Sequence, residues 1–336
     1  MDQARLQGCP FVVDETPHCA WDWDPIKRNR DFLNGVDPRH YEFLTQMYET
    51  ALQGEEAQHA ALAIRTAYSR ALETLFAFLG ATVQAPDCVA AWLTVYQNRE
   101  LESLVRKIHE RRRVLSVWDV ERITWRTLSD IVHSSLVIDD KEKEVRVKRH
   151  FGALWGRFAA DFLDVGARQE YNSIKHGSRA RPGGFYLAIG PEDVQGVPAA
   201  PERMRLLGRS EYGSSFPVLE RVGQERMHLR LRQHSRNWDP TDMLFGLYLI
   251  AMSLNNIIAF LKTENGVEAS AVQFTWPGSE GAFEKPWERR NLIRVLSFGF
   301  PEPEILDGDI PPISQKQVFA RYRRRRVDDD RAAGEA

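Results

Sequence analysis

Arg168, Asn172 and His176 fall at i, i+4 and i+8, with Lys175 and Arg179 beside them. In a helix this spacing stacks a guanidinium, an amide and an imidazole on one face, flanked by an ammonium and a second guanidinium. An imidazole exchanges protons near neutral pH. Guanidinium groups pair with phosphate in a two-pronged geometry. Asn172 could orient either partner. The set suits metal-independent cleavage of a phosphodiester: the histidine moves the proton and an arginine stabilises the charge that develops. The same face could equally be a buried hydrogen-bond network or a solvated surface, because structural networks gather such residues too. On the opposite face Ala167, Tyr171 and Ile174 can pack, and Gly177 suits a left-handed helix end.

A second row of candidates lies downstream. Arg226, His228, Arg230, Arg232 and His234 alternate with Met227, Leu229 and Leu231. Strict period-two alternation predicts a strand with one packed apolar face and one cationic face. Such a row could meet the phosphates of a nucleic-acid backbone, or be a solvated face balanced by Glu220, Glu225 or acidic helices. Residues 168 to 236 carry 12 Arg and Lys against 7 Asp and Glu, within a chain of net charge −2. An acidic partner suits that segment.

The run Tyr171-Asn172-Ser173-Ile174-Lys175-His176-Gly177 resembles the end of the signature helix of HEPN-type proteins. These are helical bundles, many of them ribonucleases of toxin–antitoxin and antiviral systems, and others non-catalytic. Asn172 and His176 match the family's polar residue and histidine. The family's arginine falls at Tyr171, so Arg168, one turn earlier, would have to substitute. The resemblance implies a protein that engages RNA in stress or defence, with His176, Asn172 and Arg168 catalytic. Lys175, Arg179 and the strand cations Arg226, His228, Arg230, Arg232 and His234 would hold substrate. It also implies a site assembled across a homodimer. The alternative is a non-catalytic helical interaction or structural protein.

These residues need elements to position them. The fold expected is mainly α: a helical bundle over residues 37–264 with a small antiparallel β insertion at about 183–235. Helical periodicity is clearest at 55–80, where Ile64, Tyr68, Ala71, Leu72, Leu75, Phe76 and Leu79 recur. Further helices, with some breaks, are predicted at 88–112, 116–135 and 140–177. Trp92, Trp118, Trp125 and Trp155 read as core aromatics. Strands are predicted at 185–189, 204–209 and 216–221. Asp239 and Pro240 then begin a helix whose stretch 243–261 is almost wholly apolar. Ser253, Asn255 and Asn256, and the other amphipathic helices that need a central partner, favour a buried core helix over a membrane span.

The first 36 residues, interrupted by Pro10, Pro17 and Pro25, read as irregular, with Trp21, Trp23 and Phe32 pinning them to the body. Residues 265–336 read as an extension ending in a disordered basic and acidic tail. Three cysteines make no disulfide framework and no secretory signal opens the chain, so a reducing cytoplasm is expected. Cys9, His18 and Cys19 match no zinc spacing and lack a fourth ligand, and no metal or cofactor is expected. Walker, dinucleotide-binding, nucleophile-elbow and HExxH patterns are all missing.

Overall fold

Pro240–Glu264 forms the helix α9, which is buried along most of its length. A computed structural model describes residues 6–176, 179–191, 196–197, 199–222, 228–288, 295–297, 314–317 and 319–320. By length and composition α9 could cross a membrane, yet 83% of its most apolar stretch is buried inside the protein. Its polar residues explain why it suits a protein interior. Ser253 accepts a hydrogen bond from the Trp155 indole at 3.1 Å. The Asn256 amide donates to the Thr275 carbonyl at 2.8 Å and its oxygen accepts from the Thr275 N–H at 2.7 Å. Buried polar groups with partners carry little penalty, whereas in lipid they would have none.

The chain is mainly α, with small antiparallel sheets. The helix Ala57–Gln84 (α3) is buried almost continuously over its second half and lies against α9. Gly246 allows their close approach: a Cβ there would sit 2.6 Å from the Tyr68 ring. His40–Ala51 (α2) packs on both. Pro25–Gly35 (α1), Val89–Val95 (α4), Asn98–His109 (α5), Trp125–Val132 (α6), Lys141–Leu163 (α7) and Val165–Lys175 (α8) complete the described helices. Capping side chains set several starts. Asp24, Thr124, Asp140, Asp164 and Asp239 each accept from a backbone N–H of the first turn. Trp92 and Trp155 are fully buried, and Trp118 and Trp125 pack at the core's margin.

Three expectations change. The first 36 residues are not irregular. Gln7–Val13 (β1) and Thr16–Asp22 (β2) form a hairpin, followed by α1. Both strands of a two-stranded ribbon are edges, where proline's missing N–H is tolerated, so Pro10 and Pro17 do not break it. Cys9, Phe11 and Val13 point into the core, and the Gln84 side chain clamps the turn through the N–H and C=O of Asp14, each at 2.9 Å. Phe32 packs on the core as expected, but Trp21 and Trp23 are exposed. The helix expected at 116–135 also contracts to α6, beginning at the Thr124 cap.

Beyond α8 the chain forms Arg181–Pro182 (β3), Tyr186–Ile189 (β4), Arg205–Arg209 (β5), Gly213–Arg221 (β6) and Leu229–Asn237 (β7). Val295–Ser297 (β8) joins later. The sheet order is β3-β6-β7-β8, with β4-β5 as a separate pair. The segment after α9 folds back, seating Phe283 and Trp287 against Phe151 and Phe158 of α7. The expected tail at 321–330 lies outside the described residues.

His133, at the end of α6, is wholly buried between Phe151 and Trp155. Its Nδ1 lies 2.8 Å from the Ser129 carbonyl, and its Nε2 faces the Asn256 amide at 3.1 Å. These partners assign Nδ1 the proton, leaving Nε2 as acceptor. Burial pushes the imidazole down to about 4. The folded ring stays neutral while an unfolded one, near 6.5, takes up a proton, so its stabilising share is complete above that value and is lost as pH falls toward 4. Urea melts at pH 7 and 4.5 should show about 2–3 kcal/mol more acid destabilisation for the wild type than for His133→Gln.

Candidate functional site

Asp164 makes the break within the helical stretch 140–177, dividing it into α7 and α8. With extended backbone (φ −64°, ψ 114°) it ends α7, and its carboxylate accepts from the Ala167 N–H at 2.7 Å to start α8. The carboxylate also holds Arg236 of β7 at 2.9 Å. Burial alone would raise the Asp164 pKa, but the Ala167 N–H and the Arg236 guanidinium outweigh it and hold the carboxyl below its usual range.

The deepest residues of α8 are Glu170 and Ser173, not Ala167, Tyr171 and Ile174, which are half-buried. Glu170 is fully enclosed. Arg65 of α3 meets it with both Nε and a terminal nitrogen at 2.8 Å, and the Trp238 indole donates to it at 2.8 Å. Ser214 of β6 donates to it as well, and Arg236 approaches at 3.7 Å. Glu170 is thus a functional part of the architecture that the sequence reading passed over. Its signal was its place at i+3 from Ala167 and i−4 from Ile174, in the middle of the packing face.

The motif residues separate into two groups. Asn172, Lys175, His176 and Arg179 are exposed at the end of α8. His176 ends the helix, its N–H donating to the Asn172 carbonyl at 3.0 Å. The Arg179 guanidinium donates to the same carbonyl at 3.3 Å, a cation placed at the negative end of the helix dipole. The Lys175 ammonium lies 5.7 Å from the Tyr171 ring centroid. Arg168 stands apart. It is paired with Glu102 of α5, which also binds Arg106 at 2.7 Å. Arg168 and Asn172 line a cleft of about 240 Å³ between α3, α5, α7 and α8, and His176 lies outside its lining.

The strand row is inverted relative to expectation. Leu229 and Leu231, expected to pack, are 51% and 68% exposed, while Arg230, Arg232 and His234 are half-buried. The cause is β6. Phe216, Val218 and Glu220 stand opposite His234, Arg232 and Arg230 on the same face, and Phe216 and Val218 are buried with Ala180 against Ile174 of α8. Glu220 pairs with Arg232 at 2.7 Å and the His234 ring lies against Phe216. The cations therefore share the inner face with a small apolar cluster, their charge answered by Glu220, while their stems pack. His228 sits just before β7, and Arg226 lies outside the described residues.

A scan against protein-family models, a search of curated proteins and a search of solved structures each returned no match.

The face assignment has a direct test. Leu231→Asp should change stability by less than about 0.5–1 kcal/mol, while Val218→Asp, which buries a charge, should cost about 3 kcal/mol or more. Paired denaturant melts give the comparison, and equal losses would reverse the assignment.

Proposed function

We propose that this chain is a HEPN-like helical bundle that engages RNA through the exposed end of α8, and that His176 cleaves it. One observation carries the reading: Asn172, Lys175, His176 and Arg179 share an accessible helix end whose helix is held by the buried carboxylate of Glu170. A proton-transfer group needs access to substrate, and His176 is exposed.

In metal-independent cleavage the nucleophile within RNA is its own 2′-hydroxyl. As the 2′-oxygen bonds to phosphorus and the P–O5′ bond breaks, His176 takes the 2′-hydroxyl proton and water protonates the departing 5′-oxygen. Asn172 orients the imidazole or the phosphate. Lys175 and Arg179 offset the phosphate charge, which grows as the new P–O bond forms. Arg168, the intended substitute for the family's arginine, is engaged by Glu102, so phosphate contact falls to the cations of the last turn. The strand cations play no part in this version because they face inward. A second copy of the chain would complete the site in the manner of the family it resembles. A non-catalytic interaction role is the second reading, and the exposed leucines Leu219, Leu229 and Leu231 of the outer sheet face favour it.

Purified protein incubated with single-stranded RNA in EDTA should yield 2′,3′-cyclic phosphate ends. His176→Ala should lower that rate by about 100-fold or more and leave the melting temperature unchanged. RNA left intact and unbound by the wild type, or cut equally fast by His176→Ala, overturns the catalytic role.

A further inference from the structure

The cleft between α3, α5, α7 and α8 has a composition that the proposed cleavage chemistry does not use. Leu72 and Phe162 supply apolar wall, and Tyr171, half-buried, supplies an aromatic one. Its two deeper cations are already committed: Arg65 to Glu170 and Arg168 to Glu102. Three polar side chains around it are uncommitted. Among the described residues no group hydrogen-bonds the carboxylate of Glu73, the guanidinium of Arg99 or the side-chain amide of Asn172. Glu73 stands close enough to Tyr171 and Tyr96 that, after burial, its charge is the next largest factor raising both phenol pKa values. Glu102 and Asp161 also line the cleft but are engaged, Glu102 by Arg168 and Arg106 and Asp161 by the Tyr68 hydroxyl and the Trp287 indole. The cleft thus combines an aromatic wall, one uncommitted carboxylate and one uncommitted cation, in a volume of about 240 Å³ that accommodates a single base.

A carboxylate discriminates sharply among bases. Guanine alone presents two adjacent N–H donors, N1 and the exocyclic N2, which one carboxylate can accept together. Adenine and cytosine present one amine beside an acceptor nitrogen, which repels a carboxylate. Uracil presents one N–H between two carbonyls. Unpaired bases are bound by stacking on aromatic side chains and by hydrogen bonds to this edge. Resting on the RNA-engaging reading above, we infer that the cleft receives one unpaired guanine, with Tyr171 stacking on the base, Glu73 accepting from N1 and N2, and Arg99 meeting the adjoining phosphate. The base would be held beside Asn172, one helical turn from His176, so that the site would select a guanine next to the bond it cuts.

The test uses free nucleotides, which need neither cleavage nor a long RNA. Calorimetric titration of the full chain with GMP, AMP, CMP and UMP should show GMP binding at least tenfold more tightly than the other three. Glu73→Gln, nearly isosteric, should remove most of that preference, a change of roughly 5- to 150-fold for a two-point contact. Tyr171→Leu should weaken all four alike, roughly fivefold or more. Circular dichroism of both variants checks that they fold. Absence of GMP binding, or a preference that survives Glu73→Gln, overturns the inference. The two proposals fail separately. A chain that cuts or binds RNA without regard to guanine keeps the RNA role and loses this cleft. A chain that binds GMP and ignores RNA keeps the guanine cleft and loses the RNA role.

Discussion

A single buried carboxylate, Glu170, organises the junction between the helices and the sheet. It draws the Arg65 guanidinium from α3, the Ser214 hydroxyl from β6 and the Trp238 indole from the entry to α9. These groups come from far apart in the chain, and each contact needs the others, because a carboxylate enclosed without donors would be strongly unfavourable. Neither member of the Arg65–Glu170 pair retains appreciable solvent, with side chains 7% and 0% exposed. Replacing such a pair with apolar residues can be harmless, but removing one partner leaves a charge with nowhere to go. The pair therefore fixes where α8 sits and in which rotation.

That rotation decides what the helix shows to solvent. With Glu170 and Ser173 pointing inward, Asn172, Lys175 and His176 must lie outward, and Asp164 sets the register by starting the helix at the right residue. Arg236 ties the same Asp164 to β7, so the sheet and the helix start share one ion pair. The exposed chemistry at the end of α8 is in this sense a consequence of buried electrostatics earlier in the same helix. The adjacent cleft has the same origin, since Arg65 and Ala167 form part of its wall.

Much of the helical framework was legible in the sequence, because 3.6-residue periodicity is strong where burial is one-sided, as along the first half of α3. The apolar run of α9 was legible as a core helix through Ser253 and Asn256, whose partners Trp155 and Thr275 lie inside the protein. The strands β4 to β7 were placed within a few residues, but the facing of β7 was not. Alternation in β7 identifies two faces without saying which is covered, and the cover comes from Phe216 and Val218, residues of another strand. The hairpin at the start escaped because prolines look like breakers when the neighbouring strand is unknown. Glu170 escaped for a related reason: a glutamate on a packing face looks misplaced until Arg65, 105 residues away, supplies its partner.

The role given to this pair is tested most directly by Arg65→Met, which keeps the volume and leaves Glu170 without its counter-charge. Denaturant unfolding should show a loss of about 3–5 kcal/mol, with faster hydrogen exchange at the α8 amides. Stability within about 1 kcal/mol of the wild type, with α8 protection unchanged, would contradict it.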